Sequence, residues 1–85
     1  MPNWTAYYNE NRFFVKMKSL SVEFYVNDVL VDCQKGYFSG CNIVYRLSEK
    51  ETVKVIVTLG LIKGFCYIYV NDRKIFEGKA VVLNR

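Results

Sequence analysis

Residues 21–33 read SVEFYVNDVLVDC. Val22, Phe24 and Val26 alternate with Glu23 and Tyr25, and the apolar positions resume at Val29 and Val31 after Asn27 and Asp28. Successive side chains of a strand point to opposite faces, so a period of two, rich in β-branched and aromatic residues, marks a half-buried strand. Asn and Asp both tolerate positive φ, so the Asn-Asp pair predicts a two-residue hairpin loop. In the register set by that loop, Val26 faces Val29, Phe24 faces Val31 and Val22 faces Cys33, all on the core side, whereas a four-residue loop would shift these partners. The other face then pairs Tyr25 with Leu30 and Glu23 with Asp32, a like-charge pair that needs water or a nearby cation.

The tetrapeptide Tyr-Val-Asn-Asp recurs in YIYVNDRKIF, residues Tyr67 to Phe76. The same register there pairs Val70 with Arg73, Ile68 with Ile75 and Cys66 with Glu77, and places Tyr69 against Lys74 and Tyr67 against Phe76. Both faces of this second hairpin come out mixed. The flanking sequences differ as well: KGYFSGCN follows the first copy and KAVVLNR the second. The repetition therefore reads as one turn solution used twice, not as a duplication.

Alternation continues in TVKVIVTL, where Val53, Val55, Val57 and Leu59 share a face. Strands are expected at Arg12–Lys18, Ser21–Val26, Val29–Gln34, Cys41–Leu47, Thr52–Leu59, Phe65–Val70 and Arg73–Glu77, with a further candidate at Ala80–Leu83. Glycine, serine and Asn-Asp turn signals separate them. SEKE, Ser48 to Glu51, is the one plausible helix start and is too short to count as a helix. About seven to eight short strands joined by hairpin turns predict an all-β fold, an antiparallel sandwich or small barrel. At 85 residues this is a single domain, residues 1–85, with 1–11 a candidate flexible N-terminal segment.

The composition, 52% hydrophobic and 16% aromatic, is too apolar for disorder. The residues Phe, Tyr, Met, Ile, Asn and Lys, favoured by AT-rich codons, make up 35 of the 85, the bias of a low-GC genome or of a phage or virus of one. No apolar run is long enough for a membrane helix, and MPNWTAYYNENR is polar where a signal peptide would be apolar, so a cytoplasmic protein is expected. The three cysteines, Cys33, Cys41 and Cys66, cannot all pair. In a reducing compartment all three act as small buried hydrophobes, the alternative being a Cys33–Cys41 bridge across a turn. Asn3-Trp4-Thr5 fits a glycosylation sequon by coincidence in a chain of this kind.

Chemistry is hard to build from these residues. There is no histidine, which removes the commonest general base and a major metal ligand. The cysteines have no C-x-x-C spacing, and the glycines are scattered over turns with no phosphate-loop pattern. The reading is non-enzymatic, with no cofactor and no metal. Binding is better supported. Tyr25, Tyr37, Tyr45, Tyr67 and Tyr69, with Phe24, Phe38 and Phe65, exceed what so small a core hides. The net charge of +4 adds a pull on anionic partners. The candidate partner-binding residues are Tyr25, Tyr37, Tyr69, Arg73 and Lys74. A protein partner comes first, including a second copy through an edge strand. A nucleic acid or nucleotide on the same aromatic-basic surface is the alternative, including a small phage or viral protein acting on a host factor.

The segment KVIVTLGLIKGFCYIYVNDRKIF, Lys54 to Phe76, together with YVND at Tyr25 to Asp28, resembles the first domain of the Fas apoptotic inhibitory molecule family. That family has a Tyr-Val-Asp-Gly turn, then an apolar strand, a Gly-Phe pair with alternating tyrosines, and an Asn-Gly turn. The corresponding positions are Tyr25 to Asp28, Val55 to Leu59, Gly64, Phe65, Tyr67 and Tyr69. Both turns here lack the glycine, the second turn comes a few residues early, and the family's second domain has no counterpart. The resemblance implies an all-β, cytosolic, non-catalytic interaction domain with no catalytic residues to carry over.

Overall fold

Alternation resolves into eight paired strands in a computed structural model of the chain, which describes residues 3–18, 20–35, 40–59 and 63–81. They are β1 (Asn3–Tyr8), β2 (Asn11–Met17), β3 (Ser21–Val26), β4 (Val29–Lys35), β5 (Cys41–Arg46), β6 (Thr52–Leu59), β7 (Lys63–Val70) and β8 (Arg73–Val81). Two four-stranded antiparallel sheets, β1-β2-β3-β4 and β5-β6-β7-β8, pack as a sandwich. Strand β1 runs beside β8, and β4 beside β5, at the two open seams. No helix among the described residues is long and apolar enough to cross a membrane.

The core is what the period of two demands. Phe13, Val15, Val22 and Phe24 from the first sheet meet Ile43, Val53, Val55, Val57, Cys66 and Ile68 from the second, all fully buried. Among the described residues no polar or charged residue is buried. Phe13 and Phe24 lie 5.8 Å apart, and Tyr45 sets its ring edge-on to Phe24 at 6.2 Å. Truncating either phenylalanine to alanine costs about 3–5 kcal/mol by the usual cavity penalty. Phe24 thus belongs wholly to the core and leaves the set of exposed aromatics expected from the sequence.

The first strand has no counterpart in the sequence reading, where residues 1–11 were a candidate flexible segment. Trp4, Ala6 and half-buried Tyr8 alternate inward in NWTAYY, but Tyr7 beside Tyr8 removes the apolar–polar contrast and alanine is a poor strand former, so the periodic signal is weak. Asn9 and Glu10, both at positive φ (45° and 66°), make the tight turn into β2. At the other end of the chain, Ala80 and Val81 continue β8, while the rest of the expected Ala80–Leu83 strand lies outside the described residues. SEKE forms a turn: the amides of Leu47 and Ser48 donate to the Glu51 carbonyl at 2.9 and 3.2 Å.

Both Asn-Asp pairs form the expected turns, with φ of 51° and 70° at Asn27 and Asp28 and 49° and 66° at Asn71 and Asp72. Each asparagine also clamps the next strand over. Asn27 N–H donates to the Arg12 carbonyl at 2.9 Å, and Arg12 N–H donates to Asn27 Oδ1 at 2.8 Å. Asn71 does the same with Thr52, at 3.0 Å in both directions.

Past the turns the register departs from expectation, and in the same way twice. Tyr25 pairs with Leu30 but Phe24 with Asp32, so Val31 is an extra residue. Tyr69 pairs with Lys74 but Ile68 with Phe76, so Ile75 is extra. These are β-bulges on edge strands, which bend and twist the strand. They move Glu23 off Asp32 and opposite Cys33, removing the like-charge pair. They also put Gly78 opposite buried Cys66 and Glu77 opposite Tyr67, which spares a carboxylate from the core side. With the bulges counted, the two hairpins bury the same face, and each half of the chain is a four-stranded meander with one turn, one clamp and one bulge in equivalent places. The mixed faces expected for the second hairpin came from the missing bulge.

The sheets are tied at their margins. Gln34 Nε2 donates to the Asn42 carbonyl at 2.9 Å across the β4–β5 seam. Tyr8 Oη donates to Glu51 Oε2 at 2.7 Å. Trp4 lies so close over β8 that a Cβ on Gly78 would come within 2.6 Å of its ring.

The asparagine clamps make a paired prediction. Asn71→Ala forfeits both the left-handed preference and the bond to Thr52, and should cost about 1–3 kcal/mol in urea denaturation. Asp72→Gly keeps the clamp and relieves the positive φ, and should raise the midpoint, adding up to about 1 kcal/mol of stability. Equal midpoints for the two variants would refute the clamp.

Candidate binding surface

Because both hairpins share a register, their outer faces can be compared row by row. In the first sheet Tyr25 sits between Phe14 and Leu30. In the second its twin Tyr69 sits between Lys54 and Lys74. The same phenol is therefore flanked by apolar groups on one side of the molecule and by two cations on the other.

The second face continues this chemistry. Phe65, Tyr67 and Tyr69 follow one another along β7, all half-buried, with the Phe65 and Tyr67 rings near-parallel (9°) at 6.4 Å. Opposite Tyr67 lie Ile56 and Glu77, and opposite Phe65 lie Thr58 and Lys79. Val44, 62% exposed, extends the row beyond Lys54. Lys74 Nζ donates to Glu77 Oε1 at 2.6 Å and stands 5.7 Å over the Tyr67 ring. The Glu77 hydrogen bond, with its charge, pushes the Lys74 pKa up and keeps it cationic. Such an exposed pair adds little to stability but fixes where the charge sits. Residues 1–35 carry four basic and four acidic side chains, and residues 36–85 carry eight and four, so the whole net charge of +4 belongs to the second half.

The five residues proposed from the sequence do not form one site. Tyr69 and Lys74 are direct neighbours on the second sheet. Tyr25 is on the opposite side of the sandwich, its ring 5.8 Å from Phe14 and its hydroxyl donating to Glu23 Oε1 at 2.7 Å. That hydrogen bond raises the Tyr25 pKa and lowers that of Glu23, which Lys18 also approaches at 3.5 Å. Arg73 points to the end of the sandwich, beside Tyr8, Val70 and Asn71. Tyr37, like Phe38, lies outside the described residues. The sequence reading missed Lys54, whose place beside Tyr69 depends on the β6–β7 register, and Val44, which depends on β5–β6.

The described thiols are all free, and Cys33 and Cys41 stand in different sheets. Cys33 is exposed, not buried, because the Val31 bulge turns it to the outer face. Burial raises the pKa of half-buried Cys41 and pushes that of Cys66 up to about 12. No group of three or more Cys, Asp or Glu side chains among the described residues is placed to hold a metal ion. Comparison with known protein families, characterised proteins and solved structures finds no match. The resemblance to the Fas apoptotic inhibitory molecule family thus rests on the residues quoted for it alone.

These thiols should separate in reactivity. An alkylating reagent should label exposed Cys33 in the folded protein and buried Cys66 only on unfolding. Since the Cys66 value rises from 9.0 to about 12 on folding, the native state keeps a proton that the unfolded chain releases, and stability should fall as pH climbs between those values. The raised values of Tyr8 and Tyr25 act in the same direction. Urea midpoints that stay flat through this range would contradict the burial of Cys66.

Proposed function

We propose that this chain is a non-enzymatic binding module that engages an acidic protein surface through the outer face of its second sheet. The carrying observation is the Lys54–Tyr69–Lys74 row, set against its uncharged twin Phe14–Tyr25–Leu30. Aromatic side chains supply contact area at low entropic cost, and flanking cations steer an oppositely charged partner and fix its register. Exposed Val44 and half-buried Ile56 extend the apolar part of the contact. Three free thiols support a reducing compartment, and hence the cytoplasm.

One observation favours a second reading. Phe65, Tyr67 and Tyr69 stand two residues apart on one strand with Lys54, Lys63, Lys74 and Lys79 around them, an arrangement on which bases of a single strand could stack while lysines meet phosphates.

A Lys54→Glu, Lys74→Glu variant, folded by circular dichroism, should lose at least tenfold in affinity for a partner recovered with the wild-type chain. An unchanged affinity would remove this face from the proposal. Titration of the wild type with an oligothymidylate at low salt tests the second reading. Tight binding that falls steeply with salt would favour it over the protein partner, and no binding would eliminate it.

A further inference from the structure

A sandwich of two open sheets has four edge strands, and each open edge is a template for another chain. Three of the four are guarded. Strand β4 carries the Val31 bulge with Asp32 and Lys35. Strand β8 carries the Ile75 bulge with Arg73, Lys74, Glu77 and Lys79. Strand β5 ends in Arg46, and the backbone of Asn42 is occupied from outside by the Gln34 side chain, whose Nε2 donates to its carbonyl at 2.9 Å and whose Oε1 accepts from its N–H at 3.4 Å.

Strand β1 has none of these devices. Asn3–Tyr8 contains no charged residue, and its pairing with β2 runs without a bulge. The two-residue turn at Asn9-Glu10 makes Tyr8–Asn11 the closing hydrogen-bonded pair, so pairs alternate from there. Ala6 and Trp4 spend their backbone groups on β2, while Tyr7, Thr5 and Asn3 turn theirs outward. No hydrogen bond joins those outward groups to another part of the described chain. Tyr7 is 74% exposed beside them.

We infer that β1 is a self-association edge that pairs antiparallel with β1 of a second copy, joining the two first sheets into one continuous sheet. This rests on the binding-module reading but uses a different surface. The occupant follows from the strand itself. A two-fold axis at Thr5 sets Thr5 opposite Thr5 and Asn3 opposite Tyr7, so every outward N–H meets an outward carbonyl, about six hydrogen bonds in all. On the inner face the same register sets Trp4 opposite Ala6, large against small. No charged side chain enters this contact, whereas self-pairing along β8 or β4 would draw lysines and carboxylates into it.

The test is solution mass. Such a contact is small, so the wild-type chain is examined by sedimentation at on the order of 100 μM, where the expected mass is twice 10.0 kDa. Thr5→Pro deletes an outward N–H without touching the bonds to β2, and Thr5→Lys sets two like charges together at the axis. Each should restore 10.0 kDa with an unchanged circular dichroism spectrum. If the proline variant fails to fold, the lysine variant decides. A monomeric wild type, or a dimer that survives in the folded lysine variant, overturns the inference. The Lys54→Glu, Lys74→Glu variant keeps the doubled mass, so a failure here and a failure of the aromatic-basic face are told apart.

Discussion

Two asparagines hold the frame on which the rest of this sandwich depends. Asn27 and Asn71 each occupy the left-handed position of a tight turn and, from there, bond both backbone groups of a residue on the next strand. One residue, through its backbone conformation, its amide N–H and its side-chain oxygen, thus sets the loop length of a hairpin and the register of a third strand. A register slip of one residue would send Val22, Phe24 and Val26, or Cys66, Ile68 and Val70, to the solvent side. The clamps and the apolar core therefore enforce the same arrangement, the clamps at the turn and the core along each strand.

The bulges act on top of that frame and decide what each sheet shows to the outside. With Val31 and Ile75 extra, both half-buried against the core, the edge strands turn Cys33 and Glu77 outward. Equivalent rows then carry different chemistry on a common scaffold: apolar groups around Tyr25 and lysines around Tyr69. The concentration of the net charge in the second half follows the same division. The two pseudo-equivalent halves thus present unlike outer faces, and the lysines that flank Tyr69 have no equivalent around Tyr25.

Much of the fold was legible because a period of two is a local property. Val53, Val55 and Val57 could be assigned to the core without knowing their neighbours, and the Asn-Asp turns followed from φ preferences alone. Strand β1 escaped because adjacent Tyr7 and Tyr8 blur the alternation of Trp4, Ala6 and Tyr8, so its place depends on Phe13 and Val15 across the ladder. The bulges escaped because no residue type announces them. At Ile75 the reason is non-local: the uninterrupted ladder drawn from the sequence sets Glu77 against Cys66, but only the packed sheets show that the Cys66 face is the core.

The site was half legible for the same reason. Tyr69 and Lys74 flank a two-residue turn, so their adjacency was implied by the chain. Lys54 joins them across a ladder with no short-range signature, and Tyr25 leaves them because the two sheets face apart. By itself, the sequence determined the strands with strong alternation, the turns and the all-β class, since these rest on side-chain spacing and backbone preference within a few residues. Only the tertiary structure decided the bulged registers, the pairing of β1, the splitting of the candidate residues between two faces and the basic row around Tyr69. Each of these is set by which strands lie side by side, and that is fixed by burying one common core.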